Sequence, residues 1–250
     1  MPSSRRQPRS PLAAANPKPA LYEQLARVAA ALGAEARLQL LEYLAQAERS
    51  VDELAAMAGL SVANCSKHLQ VLRAAGLVNA RKEGLRVHYS VAGDDVVSLY
   101  SALQRVAEGR VAEVERLVRT WLSSQDEMEP VPAAEVLARA RQGLVTVIDV
   151  RPPEEYAAGH VPGAINVPVG ELEARLAKLP KRKEVVTYCR GPYCLLSFDA
   201  VRTLRARGFR ARRLVDGFPE WRAAGLPVEA GCSLRRDAIE DKPASAPTRK

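Results

Sequence analysis

The stretch Val185–Val186–Thr187–Tyr188–Cys189–Arg190–Gly191–Pro192–Tyr193–Cys194–Leu195–Leu196 leaves little choice of local structure. A β-branched, apolar run ends on a cysteine, a loop with two backbone breakers follows, and a second cysteine opens a helical pattern. Strand, tight loop and helix N-terminus in that order belong to an α/β layer. A thiolate at the C-terminal end of such a strand sits among backbone N–H groups aimed by the turn and by the next helix. Those surroundings lower a cysteine pKa and make the sulfur a nucleophile, and Arg190 adds a fixed positive charge in the next position. The alternative is plain packing: a strand-end cysteine and a second cysteine set in a helix.

A chain of 250 residues suits two domains better than one. No apolar run reaches the roughly 18 residues of a membrane span. Residues 1–19 are rich in Pro, Ser and Arg and lack an apolar signal core, so they read as a disordered basic arm. The four cysteines, Cys65, Cys189, Cys194 and Cys232, are too few for a disulfide scaffold in a chain this long. A cytoplasmic, reducing location is expected, which favours reactive over structural thiols. The net charge of +8 is uneven: residues 1–130 hold 16 basic and 15 acidic side chains, residues 131–250 hold 21 and 14. The densest basic piece, Arg205 to Arg213, reads as a solvated helix end, with attraction of anionic substrates or DNA phosphates the alternative.

In the first half, Leu21, Leu25, Val28 and Leu32 recur at helical spacing up to Gly33, and Leu38, Leu41 and Leu44 mark a second helix. Ser50 and Glu53 have the spacing of a capping box for a third helix ending near Gly59. Ser61 caps a fourth, which stops at Gly76. Helix, three-residue turn, helix is the helix-turn-helix plan. On the fourth helix Val62, Cys65, Leu69 and Leu72 fall on one face, so Cys65 is expected in the core. Ala63, Asn64, Lys67, Gln70 and Val71 fall on the other, which suits a helix laid in a major groove or an ordinary solvated face. Leu77–Val91 reads as a hairpin turning at Lys82–Glu83–Gly84, a wing with Arg81, Lys82 and Arg86 for phosphates. From Asp95 to Ser124, Val96, Tyr100, Leu103, Ala107, Val111, Val114, Val118 and Trp121 alternate at steps of three and four. That is the seam of one long helix, packed on the head or, given its length, on a second copy.

The Ser61, Ser66, His68, Leu69, Leu72 spacing, followed by the hairpin, resembles the ArsR-type winged-helix repressors over about Leu21–Leu122. The resemblance implies a homodimer that grips double-stranded operator DNA and leaves it when its inducer binds. The DNA-contacting set is then Ser61, Ala63, Asn64, Ser66, Lys67, His68, Gln70, Arg81, Lys82 and Arg86. The family's metal sites do not carry over, since Val51–Gly59 has no cysteine and the final helix no histidine. His68 and His88 read as structural or DNA-facing. No metal and no cofactor are expected.

Polar, proline-ending residues 125–132 form the expected linker between a head at 20–124 and a second domain at 133–229, with 230–250 a disordered tail. Beyond the linker short strands and helices alternate: helix Ala133–Arg141, strand Leu144–Val150, helix Pro153–Ala158, strand Ala164–Val167, helical Glu171–Leu179, strand Glu184–Cys189, helix Leu195–Arg207, strand Arg213–Val215, helix Phe218–Ala224. The fold class is therefore two domains, a mostly-α winged helix with a β-hairpin wing and long dimer helix, and an α/β domain with a parallel sheet. Asp149–Arg151, Glu155, the run His160 to Asn166, the cysteine loop and Gly217 to Trp221 resemble a rhodanese domain over about Pro130–Glu229. By that resemblance Cys189 takes a sulfane sulfur as a persulfide, and Arg190, Gly191, Tyr193 and Cys194 belong to the loop whose amides cradle it. Asp149 and Arg151 hold the base of the loop. Two departures stand out: Cys194 replaces the family's sixth-position arginine, and Asp216 stands where a glycine is common. The first adds a resolving thiol, provided the tight loop lets the two sulfurs meet. Two adjacent thiolates also suit a thiophilic ion such as trivalent arsenic. Cys232, in the tail, reads as incidental.

The functional expectation is a DNA-binding repressor whose rhodanese domain senses a small sulfur donor or oxidant through Cys189. The alternatives are a working thiosulfate or persulfide sulfurtransferase with the head as an independent regulator, an arsenite sensor, and an inert interaction module.

Overall fold

The first half of the chain closes on a leucine core. The computed structural model describes residues 17–118, 120 and 130–231. In it α1 (Lys18–Leu32), α2 (Glu35–Gln46), α3 (Val51–Ala58) and α4 (Val62–Ala74) pack together. Leu40, Leu41, Leu44, Leu54, Cys65, Leu69 and Leu72 form one buried cluster, so Cys65 packs as a small hydrophobe. Burial also raises its thiol pKa. The capping box is present: Glu53 N donates to Ser50 Oγ at 3.3 Å and Ser50 N donates to the Glu53 carboxylate at 2.7 Å. Ser50 Oγ also donates to the Glu53 carboxylate at 2.6 Å, and that bond, with the one from Ser50 N, holds the Glu53 carboxyl below its ordinary pKa. Ser61 Oγ caps α4 by accepting from Asn64 N at 3.3 Å.

The wing consists of β2 (Val78–Glu83) and β3 (Arg86–Val91). Its two-residue turn is Gly84–Leu85, one position later than expected, because only Gly84, at φ 60°, suits the left-handed corner. A short strand not foreseen from the sequence, β1 (Arg49–Ser50), pairs Arg49 with Tyr89 and Ser50 with His88 on β3.

Several expected boundaries move. The single long helix is two: α5 (Asp94–Arg110) and α6 (Ala112–Leu117). Val111 leaves the helical basin at φ −108°, ψ 102°, just after Gly109 has weakened the helix. Trp121 and Ser124, the seam's expected end, lie outside the described residues. Helix α1 begins inside the supposed arm, with prolines in its first turn where their fixed φ is helical and no N–H is needed. Val131, assigned to the linker, is fully buried, donating to Arg213 O at 2.8 Å and accepting from Val215 N at 3.0 Å. The rest of the arm, linker positions 125–129 and the tail from Cys232 on lie outside the described residues.

The second domain carries four parallel strands in the order β5 (Ile165–Asn166), β4 (Val145–Asp149), β6 (Glu184–Tyr188), β7 (Ala211–Arg213). Helices α7 (Ala133–Arg141), α8 (Pro153–Ala158), α9 (Leu172–Arg175), α10 (Leu195–Ala206) and α11 (Phe218–Ala223) surround the sheet. Strand alternation splits its core into two clusters, one with Val145, Val147, Val186, Tyr188 and Trp221, the other with Ile148, Val185, Cys189, Val201 and Leu204. Last-strand residues Leu214 and Val215 lie just beyond β7, which runs two positions earlier than expected. No described helix is long and apolar enough to cross a membrane.

Removing the cap at Ser50 tests how far the head depends on local chemistry. Ser50→Ala should destabilise the head by about 1 kcal/mol, read from the head's urea transition; an unchanged midpoint would contradict it.

Candidate functional site

Strand β6 delivers Cys189 to the C-terminal edge of the sheet, where ligands collect in open α/β layers. The Cys189 side chain is buried beside α10, and its carbonyl accepts from Phe218 N at 3.0 Å. Cys189 and Cys194 form a disulfide with Cα atoms 6.2 Å apart, so the loop does let the two sulfurs meet. The amide cradle is smaller than expected. Pro192 brings no N–H, and Cys194 N donates to Gly191 O at 3.2 Å. Gly217 lets the backbone before α11 touch the loop, since a Cβ there would fall 2.3 Å from Gly191 N.

Asp149 and Arg151 lie at and just beyond the end of β4, the strand next to β6, both fully buried. The Arg151 guanidinium donates to Asp149 from Nη2 at 2.6 Å and to Gly159 O at 2.7 Å, and lies 4.4 Å from the Phe218 ring centre. Arg190 differs from expectation. Its guanidinium grips the fully buried Glu155, at 2.7 Å from Nη2 and 3.1 Å from Nε, so it is committed to that carboxylate rather than left free beside the cysteine.

The head roofs the loop. Arg49 Nη2 donates to the same Glu155 Oε1 at 2.8 Å. Gln46 Nε2 donates to Arg190 O at 3.0 Å, while its Oε1 accepts from Arg151 Nη1 at 3.3 Å. Tyr193 OH donates to Glu108 on α5 at 3.1 Å, and Ser101 Oγ donates to Glu220 on α11 at 3.1 Å. Arg222 Nε reaches Asp94 at 2.8 Å. Enclosure shows in the ionisations: burial raises the carboxyls of Glu42, Glu220 and Asp216, and pushes the Tyr193 phenol up to about 12. Sequence reasoning missed Glu42, Gln46, Arg49, Ser101 and Glu108. All but Arg49 sit on helices whose apolar stripe was the legible part, Arg49 sits on the unforeseen β1, and a polar residue facing another domain looks like one facing water.

On the opposite surface Ser61, Ala63, Asn64, Lys67 and Gln70 are exposed on or beside α4, with Ser66 and His68 half-buried. Val62, assigned to the core face, is exposed; as the first residue of α4 it precedes the turn that packs inward. At the wing Lys82 and Arg86 flank a fully exposed Leu85. Arg81 does not present a free charge: it pairs with Glu48 at 3.1 Å from Nε and with Glu83 at 2.8 Å from Nη1.

Comparison with known proteins matches residues 34–80 to the bacterial regulatory protein, arsR family, and residues 132–224 to the rhodanese-like domain. The HTH-type transcriptional regulator Rv0324 of Mycobacterium tuberculosis is 47% identical over 217 residues, covering 87% of this chain and 95% of its own. A sulfurtransferase of Allochromatium vinosum is 34% identical over 34% of this chain and 79% of its own. Among solved structures, the homodimeric winged helix-turn-helix DNA-binding domain (fragment 1–100) of a possible ArsR-family regulator from Mycobacterium bovis is 42% identical. It covers 40% of this chain and 93% of its own, with a TM-score of 0.38.

Two outcomes follow from the site's electrostatics. Asp149→Asn leaves the buried Arg151 guanidinium uncompensated and should cost about 3–5 kcal/mol in denaturant unfolding of the second domain; a loss near zero would contradict the pairing. Glu42 has a raised pKa in the folded chain, so its contribution to stability is fully present below the ordinary value of 4.5 and is lost as pH rises through the folded value. Glu42→Gln should therefore raise the melting temperature at neutral pH and flatten its decline above pH 4.5; a lower neutral-pH melting temperature would contradict this.

Proposed function

The chain belongs to the ArsR-family transcriptional regulators, here with a C-terminal rhodanese-like domain, and from that premise we propose a dimeric repressor that senses reactive sulfur through Cys189 and Cys194. The observation that carries this reading is the pairing of the two thiols in a loop held directly by the DNA-reading head.

The chemistry balances without a further reagent. The Cys189 thiolate attacks the terminal sulfur of a low-molecular-weight persulfide, forming Cys189–S–SH and releasing the donor thiolate. The Cys194 thiolate then attacks Cys189 Sγ, forming the disulfide and expelling hydrosulfide. Two thiols are oxidised and one sulfane sulfur is reduced to sulfide. The exposed apolar side chains Leu21, Tyr22 and Leu25 on α1, with Leu99, Leu103 and Val106 on α5, support a second copy packing there. Such a pair presents two α4 helices to a two-fold operator, with Asn64, Lys67 and Gln70 at base edges and Lys82 and Arg86 at phosphates.

A second reading, sulfur transfer as the primary role, draws on the likeness to the Allochromatium sulfurtransferase. It predicts turnover from a persulfide donor to a thiol acceptor, abolished in Cys189→Ser.

The test titrates polysulfide into the reduced protein bound to a DNA duplex that it has itself selected from a random pool. Wild-type affinity should fall by about 5–150-fold, the usual span of allosteric coupling, while Cys189→Ser and Cys194→Ser stay bound. Equal release of all three would refute sensing by this loop.

A further inference from the structure

We infer that Gln46 and Arg49, two residues of the DNA-binding head, are positioning residues for the thiol of Cys189. The inference rests on Cys189 as the reacting group and adds that its loop is completed from the other domain.

Arg190 follows Cys189 directly, so whatever fixes residue 190 fixes the peptide that carries the thiol. Both of its handles run into the head. Its carbonyl accepts from Gln46 Nε2 at 3.0 Å, and its guanidinium binds Glu155, whose Oε1 also takes Arg49 Nη2 at 2.8 Å. Gln46 has no rotational choice: Arg151 Nη1 donates to its Oε1 at 3.3 Å, which leaves the amide nitrogen for Arg190 O. Gln46 and Glu155 are at most 1% exposed and Arg49 is 7% exposed, so water does not substitute for either contact.

Stability alone is a poor reason for this arrangement. Arg49 Nε has no hydrogen-bond partner among the described residues, and a buried guanidinium with an unmet N–H is costly. The domains are also joined by Arg222, whose Nε reaches the half-exposed Asp94 at 2.8 Å and whose Nη2 donates to Ala45 O at 3.4 Å. What Arg49 adds is a place: it lies on β1, hydrogen-bonded to the wing strand β3 opposite Tyr89. Gln46 is the last residue of α2. The thiol's peptide is thus referenced to the wing and to the helix framework that holds α4. By linkage, a shift of β1 and β3 on DNA changes the thiol by the same free energy by which the thiol's state changes DNA affinity.

The experiment measures the iodoacetamide alkylation rate of Cys189 against pH in the reduced, full-length chain. Since only the thiolate reacts, the profile reports its ionisation. Trypsin cleaves after Arg190, which places Cys189 and Cys194 in separate peptides for mass spectrometry. Gln46→Met and Arg49→Met should each change the rate by about fivefold or more and displace the midpoint of the profile. Arg49→Lys should restore it in part, and Asp94→Asn, which breaks the ion pair with Arg222 but leaves Arg222 on Ala45, should match wild type. Coincident profiles for all variants would overturn the inference. So would an Asp94→Asn effect as large as that of Arg49→Met, which would make docking in general the cause. If Arg49→Met fails to fold, Gln46→Met, uncharged and close in size, decides the matter alone. A chain whose DNA binding ignores polysulfide but whose Cys189 profile follows Gln46 keeps this inference and loses the sensing reading; the opposite pair of results does the reverse.

Discussion

Glu155 is a single carboxylate, sealed from water, with an arginine from each domain on one of its oxygens. Much of the site's order follows from it. A buried carboxylate needs compensation, and here neither arginine alone belongs to both the loop and the head. Arg190 is therefore drawn away from the cysteine beside it, and Arg49 is drawn out of the head. The described hydrogen bonds and ion pairs make the joint between the domains polar and specific in geometry.

The two folds bring different things to that joint. The parallel sheet supplies the edge, with Cys189 packed into the α10-side core and the buried Asp149–Arg151 pair at the end of the neighbouring strand. The winged head supplies Gln46 at the end of α2 and Arg49 on β1, a two-residue strand paired with the wing strand. Gly217 allows the loop and the start of α11 to touch, and Glu220 at that start accepts both from Gly217 N at 3.0 Å and from Ser101 of α5. The loop is thus touched by sheet, by α11 and by head, and a bond made or broken between Cys189 and Cys194 has no neighbour-free direction in which to relax.

Local chemistry was legible where it was local. The Ser50–Glu53 box, the Ser61 cap, the strand ending at the cysteine and the helix after it follow from spacing and short-range sterics. Boundaries failed where one residue outweighed a pattern: the a/d seam continues through Val111, but the backbone there does not. Arg190 and Arg81 were misread for a common reason. A sequence shows a charge but not the carboxylate, 35 positions away for Glu155 and 33 for Glu48, that will take it. The head's contribution to the loop was illegible for the same reason, since Gln46 and Arg49 meet residues over a hundred positions distant.

Amide hydrogen exchange in the disulfide and reduced forms of the same chain tests the central coupling most directly, because it follows the backbone of the wing without requiring DNA. Opening the Cys189–Cys194 bond should alter exchange not only in the loop but also in the amides of Arg49–Ser50 and Arg86–Val91. Identical exchange in those strands, with a change confined to residues near the loop, would contradict the coupling of sulfur chemistry to the DNA-reading head.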